Sequence, residues 1–94
     1  MFTEDDIPQE MRDRVATAEF ENILKFDCGD DGVLVINRDQ VGVVDMDADC
    51  TIKVSKKNLK KLMTGKISPT VAFMTGKVKI EGDMSVALQM TSLL

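Results

Sequence analysis

The chain contains no histidine, tryptophan or tyrosine. The commonest general base and the commonest transition-metal ligand are therefore missing. The densest acidic motif, Asp45-Met46-Asp47-Ala48-Asp49, opens like a calcium loop. Such a loop needs glycine at its sixth position and glutamate at its last, where this chain has Cys50 and Lys56. The motif reads as a solvated turn. Gly65, Gly76 and Gly82 do not form the spacing of a phosphate-binding loop. Cys28 and Cys50 lack metal-ligand or CxxC spacing and read as small buried residues. No nucleophile stands beside a base. The residues imply no catalysis, no metal and no cofactor.

Lysine is the remaining chemical resource. Residues 1–50 carry fourteen acidic and four basic side chains, whereas residues 51–94 carry eight lysines and two acids. This split either orients the molecule near an anionic surface or draws its two halves together. Lys53, Lys56, Lys57, Lys60, Lys61 and Lys66 form the most basic stretch. It reads first as a solvated helix face and second as a transient docking surface for an anionic membrane. The chain's net charge of −4 and its lack of Trp and Tyr argue against nucleic acid.

The elements that must position these groups are legible in the pattern. The chain has 94 residues, of which 44% are hydrophobic and 30% charged, so one domain with one modest core is expected. Its apolar runs are too short to cross a bilayer. Its acidic start does not read as an export signal, and the expected location is cytoplasmic. Ile7, Met11, Val15 and Ala18 recur at helical spacing and predict a helix over about 7–17. A strand follows in the second half of 19–27. Gly29-Asp30-Asp31-Gly32 is a turn, Val33–Ile36 a strand, Asn37–Gln40 a hairpin turn and Val41–Met46 a further strand. Cys50, Ile52 and Val54 alternate with Thr51 and Lys53, as in a half-buried strand. Four successive strands with tight links predict an antiparallel meander. Ser55 caps a helix over Lys56–Thr64 that stops at Gly65, and Ser68-Pro69 opens a helix over Thr70–Thr75 that stops at Gly76. Lys77–Glu81 alternates as a fifth strand, Gly82 turns the chain, and Asp83 caps a last helix over Met84–Leu94.

That last helix has no charged residue. Met84, Val86, Ala87, Leu88, Met90, Leu93 and Leu94 sweep about 220° of its circumference, against the roughly 100° stripe of a helix resting on a core. The helix at 70–75 is similarly apolar. Methionine occurs seven times in the chain and suits surfaces that accept varied apolar partners. Either the sheet and neighbouring helices cover the excess, or a bound apolar molecule, a second subunit or a membrane does.

The run Leu62-Met63-Thr64-Gly65-Lys66-Ile67-Ser68-Pro69-Thr70-Val71-Ala72-Phe73-Met74-Thr75-Gly76-Lys77-Val78-Lys79-Ile80-Glu81-Gly82-Asp83-Met84 closely resembles the sterol carrier protein lipid-binding family. The shared elements are a Gly-Lys, a proline, Ala-Phe-Met, and Gly-Lys-x-Lys-Ile-x-Gly followed by an acid or amide and Met. The resemblance covers about Ile23–Leu94 and is strongest after Cys50; it is to the small, free-standing prokaryotic members. It implies an α+β fold: a five-stranded mixed, mainly antiparallel sheet, with helices packed on one face and enclosing a hydrophobic tunnel. It also implies that the fifth strand joins through a crossover. Members bind fatty acids, fatty acyl-CoAs, phospholipids and sterols, and some exchange lipids between membranes. The ending Thr91-Ser92-Leu93-Leu94 departs from the Ser-Lys-Leu peroxisomal signal of some members.

The expected function is non-catalytic binding or transfer of such lipids by one domain spanning 1–94. The expected tunnel walls are Ile52, Val54, Leu62, Ile67, Val71, Phe73, Met74, Val78, Ile80, Met84, Leu88 and Met90. Lys66 and Lys77 are candidates for an anionic head group. The expected partners are a lipid or fatty acyl ligand and, transiently, an anionic membrane. The alternative is an interaction module whose apolar last helix packs on a partner protein or a second subunit.

Overall fold

The computed structural model describes residues 1–89. In it α1 spans Gln9–Thr17, β1 Ile23–Asp27, β2 Val33–Asn37, β3 Gln40–Gly42 and β4 Cys50–Val54. There follow α2 at Lys56–Met63, α3 at Pro69–Met74, β5 at Val78–Gly82 and α4 at Met84–Gln89. The five strands form one sheet in the order β3-β2-β1-β4-β5.

Period-two alternation puts Leu24 and Phe26 of β1 on the face that also carries Leu34, Ile36, Val41, Cys50 and Ile52. Met11 and Val15 of α1, Leu59, Leu62 and Met63 of α2, Ala72 of α3, and Val86 and Ala87 of α4 pack against that face as a single cluster. All four helices thus cover one side of the sheet. Ser55 Oγ accepts the Asn58 amide at 3.1 Å and Ser68 Oγ the Val71 amide at 3.1 Å, which satisfies orphan donors at the starts of α2 and α3. α1 starts at Gln9 rather than Ile7, because Pro8 fills the capping position and Glu4–Asp6 wind into a separate 3₁₀ turn.

The expected four-strand meander is corrected. β1, β2 and β3 do run antiparallel in sequence, but β4 pairs in parallel with β1 and not with β3. The crossover therefore joins β3 to β4. β5 lies antiparallel to β4 at the sheet's edge, reached through α2 and α3. The strand expected over Val41–Met46 stops at Gly42. Residues 43–49 instead form a strap across the uncovered face. Seven extended residues reach about 25 Å, enough to cross three strand spacings of about 4.8 Å and run back along the sheet. Lys25 Nζ holds the strap by donating to Asp45 at 2.8 Å, and the Ile23 amide donates to Asp49 Oδ2 at 2.9 Å. These contacts account for two aspartates of the D-x-D-x-D motif. Val35 is buried on this face, in a hollow shared with Val44 and Met46.

Candidate functional site: an apolar groove over the edge strand

α3 and α4 both pack against β5. Between them lies a groove of about 160 Å³ lined by Pro69, Thr70, Phe73, Val78, Ile80, Met84, Ala87 and Leu88. Val78 and Ile80 supply the floor through their alternation along β5. Phe73 comes from α3, and Met84 and Leu88 sit four residues apart on α4, hence on one helical face. Among the described residues, no charged side chain lines the groove. Among the described lining residues, the Thr70 hydroxyl is the polar side-chain group.

Five of the expected wall residues meet here: Phe73, Val78, Ile80, Met84 and Leu88. Others do not. Ile52 and Leu62 are fully enclosed in the core and Val54 nearly so, because β4 is flanked by strands on both sides and the buried face of α2 joins the core cluster. Ile67 packs against the core's margin. Val71 and Met74 project from α3 into solvent, since that six-residue helix buries only Ala72. Met90 lies outside the described residues. Pro69, Thr70 and Ala87 were not foreseen; the Ser68 cap, which fixes the first turn of α3, was the signal that could have placed Pro69 and Thr70 beside the floor. Lys66 and Lys77 are exposed at the ends of α2 and α3 and do not line the groove. The tunnel that the resemblance implies is, among the described residues, an open groove.

The ends of the groove's elements are polar. Asp83 Oδ1 accepts the Ser85 hydroxyl at 2.6 Å and the Ser85 amide at 2.9 Å, tying down the start of α4. These hydrogen bonds, the hydroxyl's first, hold the Asp83 carboxyl below its usual pKa. Behind the floor, burial pushes the Cys50 thiol up, with the Asp83 charge adding to the effect. At the far end of the sheet, burial and then the nearby Asp31 and Asp27 charges push the Cys28 thiol up to about 11. Both cysteines are unpaired and buried. Among the described residues, no group of three acids, histidines or cysteines is placed to hold a metal, and no helix is long and apolar enough to cross a membrane.

The profile of the SCP-2 sterol transfer family matches residues 5–94, nearly the whole chain. The chain belongs to the SCP-2 sterol transfer family. The match takes in α1, and so extends further towards the N-terminus than the motif between Leu62 and Met84. Membership carries lipid binding or transfer in its general sense. Sterol carrier protein 2 from Rattus norvegicus is 49% identical over 49 residues, which cover 52% of this chain and 9% of that protein. The SCP-2 fold recurs in sterol carrier protein-2 like-3 from Aedes aegypti, with a TM-score of 0.74 at 16% identity, covering 97% of this chain and 95% of that one. It recurs again in the palmitated SCP2L2 of the same mosquito, with a TM-score of 0.71 at 15% identity, covering 98% and 94%. Both solved structures support the five-stranded mixed sheet with helices.

Proposed function

We propose that this SCP-2 chain binds the acyl tail of a lipid in the groove over β5 and carries it without chemical change. The supporting observation is the groove itself: Phe73, Val78, Ile80, Met84, Ala87 and Leu88 form a continuous apolar lining with no charge. Burying methylene groups there contributes about 0.8 kcal/mol each, so a modest length of tail outweighs its ordering cost.

Shape narrows the ligand. At about 160 Å³ the groove is smaller than the roughly 300–1,000 Å³ of common small-molecule pockets. A flexible acyl chain can enter such a space in part and lie along its open side. A rigid fused-ring sterol demands the full width at once. A fatty acid, fatty acyl-CoA or phospholipid tail is therefore the better fit, and the palmitated mosquito relative supports that choice. Residues 1–94 act in this reading as one lipid-binding unit, at work in the cytoplasm and in need of no cofactor.

Native mass spectrometry of the delipidated protein, reloaded with palmitate, palmitoyl-CoA or a phospholipid, tests the reading. A one-to-one adduct that survives desolvation is the expected result. Failure to retain any of the three ligands overturns it.

A further inference from the structure

α3 fully buries one residue, Ala72, and leaves its larger apolar side chains about half exposed or more. Val71 is 49% exposed, Phe73 51% and Met74 79%. Across the groove Leu88 is 65% exposed. This is the largest concentration of exposed apolar side chains in the described chain; Phe73 and Leu88 rim the groove, and Val71 and Met74 stand outside it on α3.

The stretch of chain that carries α3 is basic. Between Cys50 and Ile80 the chain has eight lysines and no acid. Lys53, Lys56 and Lys60 are engaged with Glu81 and Asp6. Among the described residues, Lys61, Lys66 and Lys77 have no acid within ion-pair distance, and Lys66 and Lys77 bracket α3 in the chain. The Gly65 and Gly76 stops, at φ +75° and +74°, turn the chain immediately before each of these lysines. At the opposite edge of the sheet Val44 is a lone exposed apolar side chain, beside Glu4. The outer face of α1 carries Gln9, Glu10, Asp13 and Arg14, with no large apolar side chain exposed.

We propose that the α3 face is a membrane-docking surface. Val71, Phe73 and Met74 insert into an anionic phospholipid bilayer while Lys66 and Lys77 meet lipid phosphates at its surface. Exposed apolar side chains rimmed by unpaired lysines match the two requirements of interfacial binding: apolar area for the acyl region and positive charge for the head groups. An apolar protein partner would account for the greasy side chains but not for the exposed lysine at each end of α3. The docked pose opens the groove towards the lipid. That purpose rests on the acyl-carrying reading; the contact itself does not.

Flotation with phosphatidylcholine vesicles, and with vesicles of phosphatidylcholine and phosphatidylglycerol in equal parts, tests the contact. The expected result is binding to the mixed vesicles that weakens as salt rises. Lys66→Gln with Lys77→Gln lowers it about thirtyfold, at the usual contribution of a lysine near an anionic surface. Val71→Ser with Met74→Ser lowers it about tenfold or more. Val44→Ser, on the strap and also exposed, leaves it unchanged. Because the chain has no tryptophan, Met74→Trp supplies a single reporter whose emission shifts to the blue on the mixed vesicles, whereas Val44→Trp does not shift. Equal binding to neutral vesicles, indifference to the Val71 and Met74 changes, or a dimer in solution that Met74→Ser dissociates would each overturn the proposal. Acyl uptake from solution, measured in parallel, separates the two readings. Val71→Ser with Met74→Ser retains uptake if the carrier reading holds, and a protein that docks yet takes up no acyl chain refutes only that reading.

Discussion

At the residue scale the groove depends on a few side chains with different burdens. Leu88 projects over the groove while most of its surface stays in contact with solvent. Leu88→Asp should therefore shift stability by less than about 0.5 kcal/mol in urea denaturation. The same change sets a hydrated charge against the bound tail, and palmitate affinity measured by titration calorimetry should fall about tenfold or more. The cysteines behave oppositely. With Cys28 pushed up to about 11 and Cys50 also raised, both by burial first, almost no thiolate exists at neutral pH. Ellman's reagent should find both thiols slow in the native protein and fast once urea unfolds it. Rapid modification of either in the folded state would contradict their burial.

At the element scale, turns carry more than their length suggests. Gly82 ends β5 at φ +99°, and a Cβ there would sit 2.7 Å from the Asp49 carbonyl oxygen and 3.2 Å from Cys50 Cα. The neighbouring Asp83 amide donates to that same Asp49 oxygen at 3.0 Å, so neither partner can withdraw cheaply. Gly65 has a positive φ as well, +75°, but open space around it. Gly65→Ala should cost about 1 kcal/mol of unfolding free energy from backbone strain alone, and Gly82→Ala about 3 kcal/mol or more. Paired urea melts check the difference. These elements also show what pattern reading captures. The alternation of Cys50, Ile52 and Val54 and the caps at Ser55 and Ser68 placed β4, α2 and α3 within a residue or so, because local sterics and capping decide them. Strand order was not legible in the pattern. Nothing in Val43-Val44-Asp45-Met46 distinguishes a strand from an extended strap, since both are extended and apolar. The partner of β4 is chosen by the fit of Cys50 and Ile52 beside Leu24 and Phe26, a long-range property. The groove was half visible for the same reason: alternation along β5 located Val78 and Ile80, but residues such as Ile52 and Val71 share their apolar character and differ only in depth.

At the scale of the whole molecule, the ion pairs between the acidic and basic halves gather, among the described residues, at one carboxylate. Asp6, before α1, lies 3.6 Å from Lys56 Nζ and 3.5 Å from Lys60 Nζ on α2. The Thr3 amide, followed by those two lysines, holds its carboxyl below the usual value. Lys25 does the same for Asp45 on the strap. A carboxyl lowered in the folded state contributes stability that is fully present above the unfolded pKa of about 3.9. That contribution is lost as pH falls through the lowered folded value. The urea midpoint should therefore be level from neutral pH to about pH 5 and fall below about pH 4, where the shared carboxylates take up protons. Asp6→Asn should flatten part of that fall, and an unchanged profile would show that the clamp between the halves contributes nothing. The position of the groove has a kinetic corollary. It lies over the marginal strand, between α3 and α4, and not beneath the central strands. A guest can leave sideways when α4 lifts, with β1, β2 and β4 still paired. Residence time should then follow the local opening of one helix, so that unloading can be fast in a protein whose global unfolding is slow.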